Sequence, residues 1–228
     1  MTLPFPPQAI IFDFDGVILD SAGLKVDAYV TIYADEDPAK VQQLVRHAHL
    51  HGGTTRRTKF AQYEKELFGR SGDAESVERL SQRYTQLVLG AVLRSAFIAG
   101  AQALLAAAKD KVDMHVVSGT PDEELRLVIA ERDLAPFFKT VWGAPATKVE
   151  AFGRILRDHR YEAARVVAIG DSMTEFWAAE ALGIPFLGIA NGSVAPFPAG
   201  VPTEPTLQNV GALLGITDPP KASNRDVA

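Results

Sequence analysis

The apolar run Ile10-Ile11-Phe12 ends in Asp13-Phe14-Asp15-Gly16, and no other stretch of the chain limits its fold so strongly. Apolar residues before a carboxylate pair read as a short buried strand, and the glycine as the turn that ends it. If the strand is parallel, Asp13 stands at the carboxyl edge of the sheet, where open α/β folds bind ligands. Asp13 and Asp15 share side-chain parity and face one site. Two carboxylates there repel unless a cation or a shared proton intervenes. The pattern suits a Mg²⁺ site with one carboxylate as nucleophile and the other as acid/base.

Further strand-like runs fall at 112–117, 165–169 and 184–189, with a short one at 138–142. Helical stripes alternate with them, such as Leu125, Val128 and Ile129, or Val149, Phe152, Ile155 and Leu156. This alternation predicts an α/β fold with a parallel sheet covered on both faces. Residues 22–91 differ. They show no strand pattern and four helical stretches, at 24–34, 38–50, 57–68 and 74–89, with breakers between. An all-helical insert after the first strand reads as a cap domain. The expected division is a discontinuous core, 1–16 and 95–218, with a cap at 17–94 and a polar, disordered tail at 219–228.

The chain has 228 residues, enough for a core and a small second domain. A net charge of −5 without a basic stripe argues against a nucleic-acid partner. The absence of cysteine excludes disulfides and thiolate metal sites. Residues 1–8 hold three prolines and no basic residue, unlike a signal or transit peptide. No apolar run approaches the roughly 20 residues of a membrane span. The expected location is cytoplasmic.

Three later segments add chemistry. In Ser118-Gly119-Thr120-Pro121-Asp122-Glu123, Thr120 and Glu123 fit a capping box and Pro121 a first helical turn. Ser118 would then sit at a helix N-terminus, where phosphate binds well. Lys148 opens a helix although its charge opposes the dipole, so another interaction is expected to hold it. In Gly170-Asp171-Ser172-Met173-Thr174-Glu175, Asp171 returns to the carboxyl edge near Asp13. Glu175 either reaches back towards a metal or its waters, or simply favours the helix start.

DFDGVILDS, SGT, Lys148 and GDSMTEFW, in this order, resemble the four motifs of the haloacid dehalogenase-like (HAD) phosphatase superfamily. The match is to its phosphoglycolate phosphatase/β-phosphoglucomutase-like subgroup. That resemblance implies a Rossmann-like core with an inserted all-helical cap and a Mg²⁺ cofactor. It implies Asp13 as nucleophile, forming an aspartyl-phosphate, and protonated Asp15 as acid/base. Ser118, Gly119 and Lys148 would hold the phosphoryl oxygens. The metal would be held by Asp13, the Asp15 carbonyl and Asp171, with Glu175 acting through its waters, since many relatives carry Asp there. The loop 51–60 resembles a cap loop in which Gly53 and Arg56 would border the substrate, with Arg57 or Lys59 adding charge. The implied function is a Mg²⁺-dependent phosphatase of small phosphomonoesters, such as phosphosugars, sugar-acid or other organic-acid phosphates. A phosphosugar mutase is the main alternative, and a non-catalytic binding protein a further one. His47 and His51 read as a polar patch rather than a zinc site, and Trp142 and Trp177 as core or cap-contact residues.

Overall fold

The computed structural model describes residues 3, 6–52, 54–190 and 197–218; Gly53 and the 219–228 segment lie outside the described residues. Strand β1 (Ala9–Phe12) is followed by four helices before the next strand: α1 (Ala22–Ile32), α2 (Pro38–Leu50), α3 (Arg56–Gln62) and α4 (Ala74–Arg94). A π-helical turn, Tyr63–Leu67, extends α3. Strands and helices then alternate: α5 (Ala101–Ala108), β2 (Asp113–Pro121), α6 (Asp122–Glu131), β3 (Thr140–Ala144), α7 (Lys148–His159), β4 (Val166–Gly170), α8 (Met173–Leu182) and β5 (Phe186–Ile189). A two-residue strand, β6 (Thr203–Glu204), and the short α9 (Val210–Leu213) follow. Among the described residues no helix is long and apolar enough to cross a membrane.

The six strands run parallel in the order β3-β2-β1-β4-β5-β6. The sheet is the parallel α/β core that the strand-helix alternation implies, and its order is the Rossmann-like one that the family resemblance implies. Alternation along β1 splits its side chains between two cores. Ile10 and Phe12 pack with Leu105, Leu125 and Val128 on one face, and Ala9 and Ile11 with Phe152, Ile155 and Ala179 on the other. Buried on both faces, β1 reads as a continuous apolar run. Its neighbours β2 and β4 continue the chain in opposite directions across the sheet, which makes the end of β1 the switch point. Phe12 pairs with Val116 and Ile169, so Asp13, Ser118 and Asp171 emerge at neighbouring heights.

The helices between β1 and β2 have an aromatic interior in which Tyr29 packs on Phe60 at 5.1 Å and on Tyr84 at 4.7 Å. The two passages into this segment lie side by side. Asp20 N–H donates to Ala96 O at 2.9 Å, and Ile98 N–H to Ile18 O at 3.0 Å. Trp142 packs in the second core, as expected, but Trp177 is exposed on α8 because the buried face there belongs to Ala178 and Ala179.

On β2, towards the sheet edge opposite the switch point, buried His115 bonds Thr140 Oγ1 at 2.7 Å and Tyr161 OH at 3.3 Å. Burial and neighbouring His159 push it down from 6.5 to about 4. A depressed histidine means that the unfolded chain binds the extra proton. The contribution is present above pH 6.5 and is lost as the pH falls towards 4, up to about 3 kcal/mol. Urea titrations at pH 7 and pH 4.5 are expected to show a steeper loss for the wild type than for His115→Gln. Equal losses in the two proteins contradict the assignment.

Candidate active site

Asp13 follows the last residue of β1, its N–H bonded to Ile169 O at 2.8 Å. Lys148 reaches it from the start of α7, which a capping box between Thr147 and Glu150 nucleates. The buried ammonium donates to Asp13 Oδ1 at 2.6 Å and Val117 O at 2.5 Å, and pairs with Glu175 Oε1 at 2.9 Å. These bonds are the interaction that holds a lysine against the helix dipole. Glu175, fully buried, forms a capping box with Ser172 at the start of α8 and accepts from Thr174 Oγ1 at 2.8 Å. Glu175 thus closes the start of α8 and also contacts the lysine that holds Asp13. Gly170 must be glycine here, because a Cβ would lie 2.6 Å from Glu175 Cβ.

One carboxylate oxygen from each of Asp13, Asp171 and Glu175 lies within 4.8 Å of the others. Burial raises Asp13 to about 7 against the pull of Lys148, and Glu175 adds to the rise. Burial, then Asp13 and Glu175, raise Asp171 well above its ordinary value. Burial also disfavours the Glu175 carboxylate, but Lys148 and the bonds from Ser172 and Thr174 outweigh it and lower its pKa. One ammonium therefore faces three carboxylates. The Asp171 carboxylate has no hydrogen-bond donor or ion-pair partner among the described residues. It lies against the Gly16 turn, where φ is +81° and a Cβ would sit 2.0 Å from Asp171 Oδ2. Hard, crowded, under-neutralised oxygens fit a divalent cation such as Mg²⁺.

Asp15 faces the same cavity but has a different surround. It accepts from Ser21 Oγ at 2.6 Å, Thr120 Oγ1 at 3.0 Å and Ser118 Oγ at 3.3 Å, and pairs with Lys25 of α1. Burial raises its pKa, but Lys25 and these hydroxyls prevail and lower it. In this arrangement Lys25 and the hydroxyls favour the ionised form of Asp15. The expected capping box at Thr120 is corrected. Strand β2 runs on to Pro121, α6 starts at Asp122 without a side-chain cap, and the Thr120 hydroxyl turns to Asp15 and Lys25. Ser118 accordingly lies in the strand's extension and bonds Thr120 N–H at 3.1 Å, rather than standing at the helix N-terminus.

A cavity of about 560 Å³ opens over these residues, lined from the sheet by Asp13, Asp15, Ser118, Gly119 and Asp171. Lys25, Arg56 and Lys59 line it from the helices. Gly52 comes close to the sheet side, where a Cβ would meet Ser172 Cβ at 3.3 Å. Arg56 is buried in a bidentate pair with Glu124 of α6, at 2.8 and 2.5 Å, and stacks over Tyr84. Arg57 pairs with Glu78 on the outside. His47 meets Tyr63 OH at 3.0 Å and packs beside His51, a polar patch as expected. Lys25 and Glu124 were not singled out by sequence, and Thr120 only as a helix cap. Only the ten-residue step from Asp15 to Lys25, which spans one turn into α1, carries any local hint.

The family model of the haloacid dehalogenase-like hydrolases matches residues 10–189. No curated protein matches the sequence. The fold is similar to that of CbbY from Rhodobacter sphaeroides, a variant of which was crystallised with xylulose-(1,5)bisphosphate: 17% identity over 91% of this chain and 99% of that one, TM-score 0.74. It is similar to YfnB from Bacillus subtilis, bound to magnesium, at 18% identity over 92% and 99% of the chains, TM-score 0.69. A HAD-superfamily hydrolase of subfamily IA from Geobacter sulfurreducens matches at 19% identity over 94% and 100%, TM-score 0.63. With the motif residues gathered at one sheet edge and the family model spanning most of the sequence, the chain belongs to the haloacid dehalogenase-like hydrolases.

Proposed function

We propose that this enzyme is a Mg²⁺-dependent phosphatase of small phosphomonoesters, working through an aspartyl-phosphate on Asp13, with residues 17–94 as its cap. The observation that carries the reading is the buried Lys148–Asp13 pair at the switch point, beside the Asp171 carboxylate. Lys148 holds Asp13 Oδ1, which leaves Oδ2 to attack phosphorus. The new bond is O–P to Asp13, and the ester P–O bond breaks. The departing alkoxide takes a proton from Asp15, protonated for this step within the Asp15–Lys25 pair. A water then returns a proton to that pair and attacks phosphorus, freeing Asp13 and inorganic phosphate. Ser118, Gly119 and Lys148 hold the phosphoryl oxygens. Asp13, Asp171 and the Asp15 carbonyl would hold Mg²⁺, which supplies positive charge against an anionic nucleophile meeting an anionic ester. Glu175, engaged by Lys148 and its own helix, would act as a positioning residue and meet the ion through its waters.

The cavity volume suits a small phosphorylated metabolite, and the bisphosphate bound by CbbY is such a compound. Phosphate release from sugar phosphates, sugar-acid phosphates, phosphoglycolate and nucleotides, with Mg²⁺ and with chelator, tests the reading. Expected is release from one compound class that chelator reduces to background. Release that chelator leaves intact removes the metal from the scheme. No release, with isomerisation of a sugar phosphate once a bisphosphate is added, identifies a mutase.

A further inference from the structure

The cations that line the cavity differ in one respect. Lys25 is paired with Asp15 and Arg56 with Glu124. Lys59 of α3 is only 5% exposed, yet it forms no ion pair among the described residues. Its ammonium has two long contacts, to Ala48 O at 3.4 Å and Gly52 O at 3.5 Å, and lies 5.8 Å from the centre of the Tyr29 ring. An ammonium carries three donors, so at least one is left for the cavity. A buried charge without a directly paired counter-ion is costly. Burial, then Lys25, push Lys59 down to about 8 against a smaller upward pull from Asp171 and Glu175, neither of which pairs with it, and it stays cationic at neutral pH.

We propose that Lys59 binds a second anionic group of the substrate, a carboxylate or a further phosphate remote from the ester that is cleaved. Arg56 does not serve this purpose, because Glu124 already occupies both guanidinium edges. The ligand anion completes the ion pair that the fold omits. Substrates with a neutral tail leave the ammonium desolvated and unpaired, so discrimination is large. The ester end of this assignment rests on the phosphatase reading; the anion subsite is testable apart from it.

The test compares kcat/KM within two matched pairs: 3-phosphoglycerate against glycerol 3-phosphate, and fructose 1,6-bisphosphate against fructose 6-phosphate. The first pair reads a carboxylate and the second a phosphate. In the wild type the doubly anionic member of one pair is expected to be favoured about 30-fold or more, as for a buried charge pair. Lys59→Met should bring that ratio close to one, and Lys59→Arg should retain most of it. Lys59→Gln, which keeps a donor for the Ala48 and Gly52 carbonyls, should collapse it likewise. The same compounds titrated onto Asp13→Asn protein give the preference without turnover. Preference in binding with no phosphate release from the wild type upholds the subsite and overturns the phosphatase reading. No preference in either readout overturns the subsite. So does a Lys59→Met variant that loses both members of a pair by one factor, since Lys59 would then serve the shared phosphoryl group or the fold.

Discussion

Asp13→Asn is expected to lower phosphate release by about 10⁴-fold or more, the scale seen when a catalytic nucleophile is removed. The amide is nearly isosteric and still offers Oδ1 to Lys148, so the bond now at 2.6 Å has an acceptor. It cannot form the acyl-phosphate at a useful rate. Stability should change by no more than about 1–2 kcal/mol. The lost attraction to Lys148 is offset by removing one of three carboxylates that burial already disfavours. Phosphate release and a urea titration on the same preparation separate the two effects. Turnover close to that of wild type would assign the nucleophile to another residue.

Lys148→Met is expected to damage both activity and fold. Loss of the ammonium leaves Asp13 and Glu175 buried with no cation between them. Removing one partner of a buried pair costs about 3–5 kcal/mol. Activity should fall by about 10²–10³-fold, since a charge beside the developing phosphoryl oxygens is lost. The stability loss should also depend on pH in a set direction. Without Lys148, the folded-state pKa values of the remaining carboxylates lie above their unfolded values. Their cost is then absent at low pH and grows as the pH rises through the folded-state values. The variant should therefore regain stability relative to wild type between pH 7 and pH 5, measured by urea titration. A pH-independent gap would mean that the lysine stabilises by packing rather than by charge.

Much of the site was legible because local rules place it. An apolar strand followed by Asp13, the Asp171 turn and the capped start at Lys148 are each set by neighbours within a few residues. The helices at 22–94 followed from periodicity, and their observed limits differ by a few residues. What local rules could not give was the partner across space. Thr120 has a good capping pattern in sequence, but Asp15 and Lys25, distant along the chain, compete for its hydroxyl and win. Arg56 carries the motif expected to meet substrate, yet Glu124 takes its guanidinium from 68 residues away. The same blindness hid Lys59, whose significance is the lack of a partner. β6 was missed because two residues carry no period, and its pairing with β5 supplies the order.

Glu175 shows how these levels merge. One carboxylate closes the capping box of α8 and orients Lys148. In a library of single substitutions, cellular abundance and catalytic output should therefore fall together at position 175. At position 13 they should part, with normal abundance and no output. A substitution at 175 that looks like a folding defect will also be an active-site lesion, and compensating mutations found elsewhere for stability should not restore it.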